Sequence, residues 1–149
     1  MRNKIKRSAF IVLAISSVIS LPPSFAADTQ PKFDCTLTDK KADDGTPGDA
    51  KTSFAPTTPV IYLLCSSDEV KKGQSIKAAW IAIDTNNAAP ANYKIAEKGM
   101  DVDKSLAEGE TWDTDLSLTK PNNGWPVGSY KVELYVDGVV SDTFNFTVK

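Results

Sequence analysis

The feature that most constrains this chain is the run Gly128-Ser129-Tyr130-Lys131-Val132-Glu133-Leu134-Tyr135-Val136-Asp137-Gly138. Tyr130, Val132, Leu134 and Val136 fall on every second position with Lys131, Glu133 and Tyr135 between them, the period of a strand with one buried and one wet face. Asp137-Gly138 then permits the positive φ angles of a tight turn. In the return run Thr143 to Val148, Phe144, Phe146 and Val148 point inward. The end of the chain is therefore expected to be a β-hairpin.

Upstream, alternation at Phe33, Cys35 and Leu37 predicts a short strand. Asp39 to Lys51 has no apolar period and reads as a loop. Phe54 to Pro59 contains two prolines and fits only a sheet edge. Val60–Cys65 and Ser75–Asp84 read as strands, Tyr93–Ala96 as a short one, and Thr111–Thr119 as a single half-buried strand. A helical turn near Lys104 to Ala107 is the one helical element weighed. About seven strands with frequent turn signals and no long helix predict an all-β, antiparallel two-sheet sandwich.

The N-terminus carries a second signal. Arg2, Lys4, Lys6 and Arg7 precede an apolar, small-residue run from Ser8 to Leu21, and Ser24-Phe25-Ala26 has the small residues of a peptidase site. Residues 1–26 are expected to be a secretory signal peptide, too short to serve as a membrane span, with cleavage after Ala26. No Cys follows the cut, so no lipid anchor is expected and the product should be soluble, periplasmic or secreted. The expected division is a 27–53 segment with one strand and an acidic loop, then a 54–149 sandwich core, the two forming one domain. Loss of residues 1–26 leaves 13 basic against 19 acidic residues. That balance speaks against nucleic acid and anionic membranes as partners. In an oxidising compartment Cys35 and Cys65 are expected to pair as a disulfide; they lack the C-x-x-C spacing of a redox or metal pair.

Leu116-x-Leu118, the Pro121-Asn122-Asn123-Gly124 loop and Gly128-x-Tyr130-x-Val132-x-Leu134-x-Val136 together resemble the E–F corner of immunoglobulin-like and fibronectin type III-like domains. Trp80 in a strand after Gly73, and Asp137-Gly138 before the Phe-x-Phe-x-Val end, extend the similarity to small exported bacterial domains of no assigned activity, over residues 54 to 148. The resemblance implies a structural corner at Tyr130, and an adhesion, accessory or scaffold role. It departs from antibody domains because Cys35 and Cys65 both precede Trp80, so the bridge cannot be the usual one between strands B and F.

The chain contains no His, which removes Ser-His-Asp and Cys-His catalysis and the commonest metal ligand. A carboxylate pair such as Asp113 with Asp115, or Asp101 with Asp103, is more simply a solvated strand face, and no enzymatic activity is expected. Asp101-x-Asp103-x-Ser105 starts like a calcium loop but has Leu106 where Gly is needed and Trp112 where the bidentate acid belongs. Asp43, Asp44 and Asp49 are further oxygen donors, in a loop that reads as solvated. No cofactor or metal is expected. Asn145-Phe146-Thr147 matches a glycosylation sequon.

The most informative anomaly is the apolarity of both faces of two strands. If Cys65 and Trp80 face the core, Tyr62, Leu64, Ile81 and Ile83 face outward, where sandwiches are usually polar. Should the two strands share a sheet, these residues form one interaction patch; otherwise a loop, 39–51 or 97–110, covers them. Trp125 is either an exposed anchor or, the favoured reading, a plug in the end of the sandwich. The expected function is non-catalytic binding to another protein or to a second copy, through apolar strand faces or a sheet edge. The alternatives are an inhibitor presenting loop 39–51 or 121–127 to an extracellular hydrolase, and a carbohydrate-binding module using Trp112, Trp125 or Tyr135.

Overall fold

The structure, a computed structural model, describes residues 30–149; the expected signal peptide and its cleavage site lie outside the described residues. Nine strands follow one another: β1 (Asp34–Thr38), β2 (Ser53–Phe54), β3 (Val60–Ser67), β4 (Ser75–Asp84), β5 (Tyr93–Asp101), β6 (Trp112–Asp115), β7 (Leu118–Thr119), β8 (Gly128–Val136) and β9 (Val139–Val148). Seven are the expected longer strands, and β2 and β7 have two residues each.

They form two sheets. In the first, β3 lies between β1 and β6, with β7 also on β3; the second has the order β2-β9-β8-β4-β5. The pairing is antiparallel except between β2 and β9, which run parallel. The N-terminal segment thus changes sheets: β1 pairs with β3, and after the 39–51 loop β2 pairs with β9. Pro56 and Pro59 keep this second piece short, because proline has no amide to give a ladder.

The alternating residues meet between the sheets. Leu37, Ile61, Leu63 and Cys65 from the first face Ile76, Ala78, Trp80, Ala82, Val132, Leu134 and Val136 from the second, all buried. An aromatic group closes one end: Phe146 stacks on Tyr130 at 5.2 Å between ring centroids and meets Phe54 and Trp80 edge-on at 5.5 and 6.1 Å. Each such side chain contributes about 1.5–3 kcal/mol by leaving water. The β8–β9 turn has φ of 50° at Asp137 and 82° at Gly138, positive at both central positions as a two-residue hairpin requires. Asp137 also accepts a hydrogen bond from the Ser75 amide at 2.8 Å, tying the turn to the start of β4.

Three local expectations change. The predicted Thr111–Thr119 strand is broken at Leu116-Ser117, because Asp115 Oδ1 accepts the Ser117 amide at 3.1 Å and turns the chain while Leu116 N donates to Leu63 O. Strand β5 runs five residues beyond Ala96, since β4 supplies backbone partners as far as Asp101. Its alternation is hidden by the bulge opposite Trp80 and Ile81 and by wetting of both faces at a sheet edge. No helical turn forms at 104–107; the chain turns at 107–110 instead, Glu110 N donating to Ala107 O at 3.1 Å with Gly109 at positive φ.

Candidate functional site

Strands β3 and β4 lie in different sheets, so the condition for one contiguous apolar patch is not met. The link from Ser67 to Ser75 carries the chain across the sandwich. Tyr62 and Leu64 consequently lie on one outer face, Ile81 and Ile83 on the opposite one.

The face bearing Tyr62 and Leu64 is covered by the 39–51 loop. Lys41 bonds Asp115 of β6 at 2.5 Å and places its ammonium 5.4 Å from the centre of the Tyr62 ring. The Lys51 amide donates to Leu37 O, Lys51 pairs with Asp39 at 2.6 Å, and Gly48 N donates to Lys40 O. Gly48 lies so close to Thr38 and Lys40 that a Cβ there would come within 2.9 Å of the Lys40 side chain. Under this cover Thr38 is fully buried and Leu64 only 8% exposed. Burial raises the Asp115 carboxyl, but Lys41 and the Ser117 hydrogen bonds outweigh it and hold the group below its usual range. A groove of about 510 Å³ remains beside the loop, lined among others by Asp34, Asp44, Leu64, Ser66 and Asp113. Among the described residues no group of three or more Asp, Glu or Cys side chains is placed to hold a metal ion.

The outer face of the five-stranded sheet is built differently. Ile81 and Ile83 are half-buried there, and the register sets Ile81 between Lys94 of β5 and Lys131 of β8. Two residues along, Ala79 lies between Glu97 and Glu133, and beyond it Lys77 lies beside Tyr135. The ion pairs on this face stay within the sheet: Lys77 and Lys94 reach Glu97 at 2.8 and 2.9 Å, and Lys131 reaches Glu133 at 2.6 Å. The two lysines, Lys77 foremost, hold the Glu97 carboxyl at about 2, and Lys131 with the Tyr135 hydroxyl holds Glu133 below its usual range. The wet positions Lys131, Glu133 and Tyr135 were legible in the sequence, but their pairing with Lys77, Lys94 and Glu97 depends on register and was not.

The third candidate contact, Trp125, is a plug and not an exposed anchor. It is 2% exposed, its indole N–H donates to Thr58 O at 2.8 Å, and its ring meets Tyr130 edge-on at 6.3 Å. Gly124, at φ 81°, lets the chain pass against Pro56 O and turn the indole inward. Trp112 packs half-buried on Phe33 at 6.5 Å, and Tyr135, in the other sheet, donates to Glu133 of its own strand. The three aromatics considered for glycan stacking therefore share no surface.

The edge strand β5 is exposed along most of its length, with Ile95 and Ala96 half-buried and Tyr93 and Met100 half in solvent. Lys98 lies opposite Ala78 on the core-side face of the sheet. With the neighbouring bulge, this inward-directed lysine is a device that discourages strand addition.

Strand order, the first strand's change of sheet and the buried Tyr130, whose hydroxyl donates to Pro126 O at 2.5 Å, define an immunoglobulin-like β-sandwich. Its disulfide is of a different kind: Cys35 and Cys65 are direct neighbours within one sheet. No family model matches the chain, and no curated protein matches it. Among solved structures it is similar to an immunoglobulin-like protein from Pseudomonas aeruginosa, with TM-score 0.47 and 9% identity over 80% of this chain and 94% of that one. It is also similar to parts of two larger proteins. One is the alkylpurine DNA glycosylase of Pseudomonas fluorescens bound to DNA containing an abasic site analogue (TM-score 0.46, 11% identity, 79% of this chain, 30% of that one). The other is the beta-glucosidase of Listeria innocua in complex with isofagomine (TM-score 0.45, 11% identity, 79% of this chain, 16% of that one).

Proposed function

We propose that the protein is an exported, non-catalytic binding module that engages a protein partner through the outer face of its five-stranded sheet, centred on Ile81 and Ile83. One observation carries this: of the two outer faces with apolar residues at their centre, the Tyr62–Leu64 face is occupied by the chain's own 39–51 loop, whereas, among the described residues, Ile81 is flanked by Lys94 and Lys131, whose ion pairs stay within their own sheet. An apolar centre ringed by charged side chains is the composition of an interaction patch. The disulfide fits an oxidising compartment, and among the described residues no helix is long and apolar enough to cross a membrane.

The test is crosslinking capture from an extracytoplasmic extract, with the wild-type chain as bait and Ile81→Asp as control, folding being checked by circular dichroism. Specific enrichment of one protein by the wild type, lost in a folded Ile81→Asp variant, supports the function. Equal capture by both baits removes this face from it.

A further inference from the structure

The charges around Ile81 are laid out in two adjacent rows running across the strands. The row formed by Lys94, Ile81, Lys131 and Asn145 carries two cations, with Lys77 lying beyond the next row. The next row, formed by Glu97, Ala79, Glu133 and Thr143, carries both carboxylates. The bulge between Trp80 and Ile81 creates this order on β5, because skipping one residue brings Lys94, three positions before Glu97, opposite Ile81.

We infer that the partner this face fits is a second copy of the chain, stacked sheet on sheet about a two-fold axis that lies in the face, between the two rows and parallel to them. The inference rests on the binding-module reading and names its partner. Rotation about that axis lays each row on the other row of the partner, with strands opposed. Lys94 then meets Glu97 of the partner subunit, Lys131 meets Glu133 of the partner subunit, and the reverse pairs form by symmetry. At the centre Ile81 packs over Ala79 of the partner subunit, where the small side chain leaves a dip between two glutamates. Within these two rows no like charges meet. Aligned sheets stack about 10 Å apart, a spacing that side chains of this length span, and an isologous contact of this kind closes on itself as a dimer.

The existing ion pairs do not exhaust these groups. A carboxylate has about four acceptor sites and an ammonium three donors, and Lys94 and Lys77 keep 59% and 43% of their side-chain surface in solvent. A macromolecule of a single charge sign meets repulsion from one of the two rows, whereas a second copy meets none.

Sedimentation velocity over a concentration series tests this with two charge-altered chains, one carrying Lys94→Glu and Lys131→Glu, the other Glu97→Lys and Glu133→Lys. Each alone places like charges across the axis and should weaken self-association at least about tenfold. Mixed in equal amounts they should associate one to one, because every cross-pair is restored. Adding Ile81→Asp to both should abolish the mixed dimer, which separates the stacked arrangement from general attraction between oppositely charged chains. A wild type that stays monomeric, a dimer that survives in either altered chain alone, or a mixture that fails to associate overturns the inference. A monomeric wild type that still captures a different protein in an Ile81-dependent way overturns self-association and leaves the binding-module function standing; a monomer that captures nothing overturns both.

Discussion

Cys35 and Cys65 sit directly opposite each other on neighbouring antiparallel strands, their Cα atoms 4.1 Å apart, so the disulfide fastens β1 to β3 within one sheet and does not join the two sheets. It closes the segment that contains the 39–51 loop and β2. Replacing both residues by Ser should lower unfolding stability by about 2–5 kcal/mol, chiefly by freeing the unfolded chain, read as a lower urea midpoint. Since β1 and the covering loop depend on this staple, their amides should lose hydrogen-exchange protection more than those of β8.

The Tyr130 hydroxyl donates to Pro126 O from an otherwise apolar site, and burial raises its pKa. Tyr130→Phe keeps the ring on Phe146 but leaves the carbonyl without this donor. A loss of about 1 kcal/mol is expected. Tyr130→Ala also removes the packing with Phe146 and Trp125 and should cost about 3–5 kcal/mol. Denaturant unfolding of the two variants separates the hydrogen bond from the ring.

Gly128 opens β8 against the end of β4. A Cβ there would lie 2.1 Å from Asp84 O and 2.8 Å from the Thr85 Cα, and both are backbone atoms with little room to yield. Gly128→Ala should therefore destabilise by at least about 3 kcal/mol, beyond the usual cost of an added methyl group. A thermal melt within a few degrees of wild type would contradict the close approach.

Glu97 should titrate at about 2, held there first by Lys77 and then by Lys94. Its folded pKa lies below the usual 4.5, so its contribution to stability is fully present above 4.5 and fades as pH falls from there to about 2. Carboxyl-carbon NMR of wild type and Lys77→Met checks this, the variant showing a pKa moved back toward the ordinary value.

Much of the fold was legible because it is written locally. The alternation from Tyr130 to Val136, the Asp137-Gly138 turn and the Phe146–Val148 return are each set by nearest neighbours along the chain. The break at Leu116-Ser117 escaped notice because an Asp accepting an amide two residues on leaves no mark in the apolar period. The full length of β5 escaped because an edge strand wetted on both faces has no alternation to see.

The candidate site was half legible. Four apolar residues on wet positions stand out in the sequence, and so does the period that sends Tyr62, Leu64, Ile81 and Ile83 outward. By itself the sequence determined most of the strands, the turn and the Cys35–Cys65 pair as the one pairing two cysteines allow, and its resemblance to immunoglobulin-like domains implied the Tyr130 corner. Only the tertiary structure decided that β3 and β4 part into different sheets, that the 39–51 loop closes over Leu64, that Trp125 fills the sandwich end, and that Lys94 and Lys131 flank Ile81. The physical reason is that an apolar period fixes which side of its own strand a residue takes, whereas sheet membership, register and loop cover depend on contacts between residues far apart in the chain.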